Sequence, residues 1–210
     1  MPSGLPLARA IEQALLCSPG ANVFVLGNHG LVVCGEDCDS AETLLSEVES
    51  HLAITARRGP EPSLAVLAEM AAFPQCRLPE TTDVHILATD AISRRMLRGG
   101  VLYPCQAVFL GAPTPLLPNS AALPLAMERF ESEYGRPPFW IVEERGVAIS
   151  EGMARTQYAV LSGLMQVVQR IEASAAIRYI TDAELADLLS ADAYRYRQSV
   201  EHNAIGPVSW

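Results

Sequence analysis

Apolar positions in the first sixty residues alternate between helical spacing and short continuous runs. The spacing predicts a helix that ends before Pro19, followed by two buried strands at 23–26 and 31–33. The segment GNHG between these runs is long enough only for a tight turn. A second amphipathic helix is predicted to open at Asp39, with Glu42 three residues later as a capping box.

The stretch RRGPEP (57–62) interrupts the helical pattern and predicts a linker. Beyond it, continuous apolar runs predict strands at 83–89, 106–111, 139–142 and 146–149. Helical spacing predicts helices over 63–73 and 90–98, and a long one that carries Tyr158 and Ile171 on one face. A last helix is predicted to begin at Thr181, with Glu184 completing a capping box, and to run towards Tyr196. Together these elements predict an α/β chain.

Composition narrows the classes of partner. Half of the 210 residues are apolar and 19% are charged, which is enough to build a core. The net charge of −9 disfavours nucleic acid and anionic membranes, because their phosphates would be repelled. The N-terminus lacks the pattern of a signal peptide, and no run approaches the roughly twenty apolar residues of a membrane span. We therefore expect a cytoplasmic protein whose five cysteines are reduced.

Two halves of the chain resemble one another. LPLA occurs at 5–8 and again at 123–126, and FVLGNHGLVV (24–33) aligns with WIVEERGVAI (140–149). This alignment matches Gly30 to Gly146 and His29 to Arg145. The pattern predicts a duplication, in which 1–58 is the C-terminal part of a first copy and 59–210 a complete second copy.

His29 is the strongest candidate for chemistry. Gly27 and Gly30 permit backbone conformations that other residues reach at a cost, and they leave space around the imidazole. A short bend between two buried strands fixes the direction of the ring, as a metal ligand requires. The alternative is that His29 caps the turn or donates to a backbone carbonyl.

The stretch VFVLGNHGLVVCGEDCDSAETLLSEVE closely resembles the end of a class II aldolase/adducin domain. The matching residues are Asn28, His29, Gly30, the triplet 31–33, Gly35, Ala41 and Glu49. The later half, with LYPCQAVFLG and ITDAELADLLSADAYRYRQ, is similar to the C-terminal region of longer members. The resemblance implies an aldolase/adducin-type sheet flanked by helices, with one partial and one degenerate repeat.

In catalytic members of that family the histidine matching His29 is one of three that hold zinc, and the other two form an upstream His-x-His pair. The resemblance implies zinc-dependent aldol cleavage of a sugar phosphate or a related hydroxy-carbonyl compound, in a homo-oligomer. Zinc polarises the carbonyl and stabilises an enediolate in such enzymes. The 210 residues contain no His-x-His pair, and Arg145 cannot ligate a metal. We therefore expect this chain alone to be inactive. The alternative is a non-catalytic, adducin-like oligomerisation or binding module.

The remaining candidates have simpler interpretations. His51 falls on a predicted helix, His202 lies near the C-terminus, and His85 is expected to be a satisfied core or edge histidine. Arg145 could bind an anion or form a surface ion pair. The stretch YRYRQ (194–198) suggests phosphate recognition, but such an alternation more often packs against a sheet.

Overall fold

The computed structural model describes residues 4–190, which form two compact units. Residues up to Thr55 belong to the first unit and those from Ala56 onward to the second. The boundary lies within 53–63, which has no regular secondary structure and also contains the linker predicted from sequence. Both units combine helices with a small sheet, so the chain is mixed α/β.

The first unit is built from two helices and a β-hairpin. Its elements are α1 (Leu5–Cys17), β1 (Val23–Leu26), β2 (Gly30–Val33) and α2 (Cys38–Leu52). The predicted cap at Asp39 is wrong by two residues: the Asp37 carboxylate accepts the Ser40 N–H at 2.8 Å, and Ser40 Oγ accepts the Asp37 N–H at 3.1 Å. Serine closes the capping box here in the place where a glutamate was expected.

The second unit contains four strands and six helices among its described residues. In chain order they are α3 (Leu64–Ala71), β3 (Cys76–Arg77), α4 (Ile86–Thr89), α5 (Ala91–Gly99), β4 (Leu116–Leu117), α6 (Leu123–Tyr134), β5 (Phe139–Val142), β6 (Gly146–Ser150), α7 (Arg155–Val168) and α8 (Asp182–Ser190). The strand order is β3-β6-β5-β4, with β4 parallel to β5 and the other pairs antiparallel. The predicted Thr181–Glu184 capping box is confirmed, since each backbone N–H is accepted by the other side chain.

Two strand predictions are wrong. Residues 82–85 form a 3₁₀ turn that leads into α4, and Gln106–Leu110 form a π-helical turn. The first segment leads into the buried run 84–88 and the second contains the buried run 106–108, and periodicity cannot separate a short buried strand from a short buried helix. The buried Gln106 side chain stabilises the second turn by accepting the Leu102 N–H at 2.8 Å and donating to Thr114 Oγ1 at 3.1 Å.

The core of the second unit lies on both faces of its sheet. Phe139 and Ile141 of β5 point into a cluster with α4, α5 and α7, whereas Trp140 and Val142 point towards α3 and α6. A sheet covered on both faces explains why β5 reads as a continuous apolar run. No helix among residues 4–190 is long and apolar enough to cross a membrane.

Candidate functional site

His29 lies at the end of the β1–β2 turn. Its N–H donates to the Leu26 carbonyl at 3.0 Å, and Asn28 before it adopts a left-handed backbone with φ 59°. Asparagine tolerates this conformation better than most residues, which explains its position here. His29 is exposed, and nothing lies within 4 Å of where Gly27 or Gly30 would carry a Cβ atom. The turn therefore fixes the backbone of His29, and its imidazole is exposed.

A complete zinc site is not present in the described part of the chain. Among residues 4–190, no three His, Cys, Asp or Glu side chains are grouped closely enough to hold a metal ion. Cys34 and Cys38 are free and exposed. The His51 imidazole donates through Nδ1 to the Glu47 carbonyl at 2.7 Å within α2. The described residues thus offer His29 as a single ligand, and three protein ligands are usual for a catalytic zinc.

Arg145 occupies the same place in the β5–β6 turn as His29 does in the β1–β2 turn. The Arg145 N–H donates to the Val142 carbonyl at 3.0 Å, and Glu144 before it has φ 62°. Its guanidinium donates to Glu69 Oε2 at 2.8 Å and to Asn119 Oδ1 at 2.7 Å. Of the two interpretations of Arg145, the structure shows the ion pair. The guanidinium ties α3 and the segment after β4 to the tip of the hairpin.

Two further ion pairs fasten the tip of the second hairpin. Glu144 faces Arg94 at 3.4 Å, and Glu143 faces Arg98 at 2.5 Å, so both carboxylates bind α5. Arg94 also donates to the Ala88 carbonyl at 2.8 Å. The charged tip of this hairpin is consequently occupied by structural contacts.

His85 lies directly behind the second turn. Its Nδ1 accepts the Val147 N–H at 3.0 Å, which places the proton of the neutral ring on Nε2. A Cβ atom on Gly146 would come within 2.9 Å of Nδ1, so only glycine fits there. The ring is almost fully buried, and burial lowers the pKa of His85 because it disfavours the charged form. The expectation of a satisfied core histidine is confirmed.

Sequence reasoning did not find a second polar cluster, between the linker and α5. The Arg57 guanidinium donates to Asp90 Oδ2 at 2.7 Å and to the Val168 carbonyl at 2.9 Å. Burial would raise the pKa of Asp90, but the hydrogen bonds from Arg57 and Ser93 outweigh it and hold the pKa below its usual value. The cluster is structural, because the hydrogen bonds of the Arg57 guanidinium and of the Asp90 carboxylate are made to other parts of the same unit.

Glu69 and Asn119 also escaped prediction, because each lies far from Arg145 in sequence and carries no local motif. Two sequence candidates, the stretch 194–198 and His202, lie outside the described residues. No family model, curated protein or solved structure matches the chain.

Proposed function

We propose that this chain carries part of a class II aldolase-like lyase that cleaves a sugar phosphate or a related hydroxy-carbonyl compound. The observation that supports the proposal is His29, an exposed imidazole held at a backbone-defined position in the turn. In this proposal His29 is one ligand of a zinc ion, and the other ligands come from outside residues 4–190. The proposed protein is a cytoplasmic homo-oligomer.

The role of the chain's own residues in this proposal is to position the ligand. The left-handed Asn28 and the Leu26 carbonyl fix the backbone of His29, so the position from which the imidazole extends is set before it binds. In the second unit the equivalent position holds Arg145, which stays charged and is already bound to Glu69. We therefore assign any metal chemistry to the first unit and a structural role to the second.

The alternative is a non-catalytic, adducin-like oligomerisation or binding module. It is favoured by the absence of a three-ligand group among residues 4–190 and by the ion pair at the second turn. In that case His29 is a residue of the turn and binds no metal.

The deciding experiment is an aldol-cleavage assay on the protein isolated from its native host, in its natural assembly, with a panel of phosphorylated hydroxy-ketones. We expect carbonyl products from at least one substrate, and a loss of roughly a hundredfold or more in His29→Ala. Arg145→Ala is the matched control, because it changes the equivalent position of the other unit, and it should retain turnover. If no substrate of the panel is cleaved, the binding-module alternative is favoured.

A further inference from the structure

We propose that the outer edges of the β1–β2 hairpin bind a polypeptide segment from outside residues 4–190, folded like residues 64–119 of the second unit. We name it the completing segment. The proposed binding involves the backbone and the exposed apolar side chains of the first unit, and it does not depend on lyase activity.

Hairpins of the same register occur twice in the chain, in two different surroundings. The residue before each turn pairs with the glycine after it, Leu26 with Gly30 and Val142 with Gly146. This common register places Val25 and Ile141 at the same position. Ile141 is fully buried, whereas Val25 is 77% exposed.

The first unit has no core of buried side chains of its own. None of the side chains of residues 4–55 is buried, and the large apolar residues Leu16, Val25 and Leu52 are all more than half exposed. Burial of apolar surface is the main favourable contribution to folding, so a unit without it depends on a partner. In the second unit, the equivalent hairpin β5–β6 is covered by other elements, and these indicate what the partner of the first unit would look like.

The outer edge of β1 carries backbone N–H groups equivalent to those with which β5 pairs with β4. In the second unit, the N–H groups of Ile141 and Glu143 donate to the carbonyls of Pro115 and Leu117, each at 3.0 Å, as β4 runs parallel to β5. No strand accompanies the outer edge of β1 within residues 4–190. The N–H groups of β1 and its turn that correspond to those of Ile141 and Glu143 are the N–H groups of Val25 and Gly27.

Among residues 4–190, the outer edge of β2 likewise has no strand beside it, whereas its counterpart β6 pairs with β3. In the second unit, β3 adds an antiparallel strand that pairs Arg77 with Ile149 and Cys76 with Ser150. A strand edge exposes a row of hydrogen-bonding groups that another strand can satisfy. The residues of the first unit that would receive the added strand are Val33 and Cys34.

The equivalence of the two hairpins also predicts which parts of the completing segment lie next to His29. In the second unit, Glu69 of α3 and Asn119 after β4 contact Arg145, the residue at the equivalent place. The completing segment would therefore bring its helix and the end of its parallel strand to the imidazole of His29. A side chain of the completing segment at either of these two positions would be able to bind the same ligand as His29.

To test the proposal, a copy of the corresponding part of the second unit is added to the chain in place of the completing segment. A second copy of residues 56–122 is fused in front of Leu5, because residue 122 precedes Leu123, the residue that matches Leu5. Amide hydrogen exchange is measured by NMR on the 210-residue chain and on this extended chain. The matched control carries Leu117→Pro in the added copy only, which disrupts the strand that would pair with β1.

We expect the amides of Val25 and Gly27 to exchange roughly tenfold or more slowly in the extended chain, and not in its control. The amides of Ile141 and Glu143 should not change. Equal exchange of the Val25 amide with and without the extension would overturn the proposal. A Val25 amide that is already protected in the 210-residue chain would also overturn the proposal. In that case a dimer mass on the same sample would identify a second copy as the occupant, whereas a monomer mass would show that the chain itself already covers this edge.

Discussion

His29 and Arg145 occupy one position in two turns with the same backbone. Each N–H donates to the carbonyl three residues earlier at 3.0 Å, each follows a left-handed residue, and each precedes a glycine. The imidazole faces open space, whereas the guanidinium binds Glu69 and Asn119. The same turn conformation thus presents an exposed imidazole in the first unit and a guanidinium in structural contacts in the second.

Replacement of Arg145 by alanine should destabilise the second unit only modestly. The ion pair with Glu69 is partly exposed, and such pairs contribute little in water. Together with the bond to Asn119, we expect a loss of about 1 kcal/mol in the free energy of unfolding. Urea unfolding followed by circular dichroism measures it, with Arg129→Ala on the exposed face of α6 as the control. A loss above about 3 kcal/mol would contradict this assignment.

His85 should make the stability of the second unit depend on pH. Because burial lowers its pKa, the unfolded chain binds the proton more tightly than the folded chain. The contribution of His85 is therefore present above the usual histidine pKa of about 6.5 and is lost as the pH falls below it.

The variant His85→Asn isolates this effect, since its Oδ1 can replace Nδ1 as the acceptor for Val147 but does not titrate. The free energy of unfolding should fall less steeply between pH 7 and pH 5 in this variant than in the unmodified chain. The control is His51→Asn, which replaces an exposed histidine of α2 outside the second unit. Equal slopes in all three proteins would refute the role of His85.

Asp90 should be the most sensitive polar residue of the second unit. Its carboxylate caps α5 by accepting the Ser93 N–H at 2.9 Å and also binds Arg57. Asp90→Ala removes the cap and leaves a partly buried guanidinium without its counter-ion, so we expect a loss of about 3 kcal/mol. Thermal and urea unfolding measure it, and Asp187→Ala on exposed α8 should cost less than about 0.5 kcal/mol.

Because the pKa of Asp90 is lowered in the folded chain, its contribution to the free energy of unfolding should depend on pH. Its stabilisation is present above the usual aspartate pKa of about 3.9 and is lost as the pH falls through the lower, folded value. The unmodified chain should accordingly lose more stability than Asp90→Ala between pH 5 and pH 3. Parallel losses in the two proteins would contradict the assignment.

Two glycines should respond to alanine in opposite directions. A methyl group on Gly99 would overlap the ring of Tyr179, so Gly99→Ala should destabilise by about 1–3 kcal/mol. Gly163 lies inside α7 with nothing within 4 Å, so Gly163→Ala should stabilise by about 0.5–1 kcal/mol. Calorimetric melting of both variants checks the pair, and a gain for Gly99→Ala would show that Tyr179 moves freely.

Sequence reasoning succeeded where the pattern was local. The spacing around α1 and α7, the capping box at Thr181 and the two aligned hairpins all follow from neighbouring residues. It failed at 83–89 and 106–111, because most residues of both segments are buried and a short buried run has no periodicity that separates a strand from a helix. The two-residue strands β3 and β4 were missed because their pairing is set by distant partners.

The candidate site shows the same limit. The turn that holds His29 is visible in GNHG, although the left-handed residue proves to be Asn28, with Gly30 at φ 152°. The contacts of Arg145 with Glu69 and Asn119 depend on tertiary packing over 76 and 26 residues of separation, which no local pattern encodes.

The most direct test of the central claim is the zinc content of the 210-residue chain, of the protein isolated from its native host in its natural assembly, and of His29→Ala in that assembly. Elemental mass spectrometry after equilibration with zinc gives this content, and the oligomeric mass is measured on the same samples. The account predicts less than stoichiometric zinc in the unextended monomer, since residues 4–190 group no three ligands. In the natural assembly it predicts stoichiometric zinc that is lost in His29→Ala. Zinc that persists in His29→Ala, or is absent from the natural assembly, would contradict the assignment of His29 as a metal ligand.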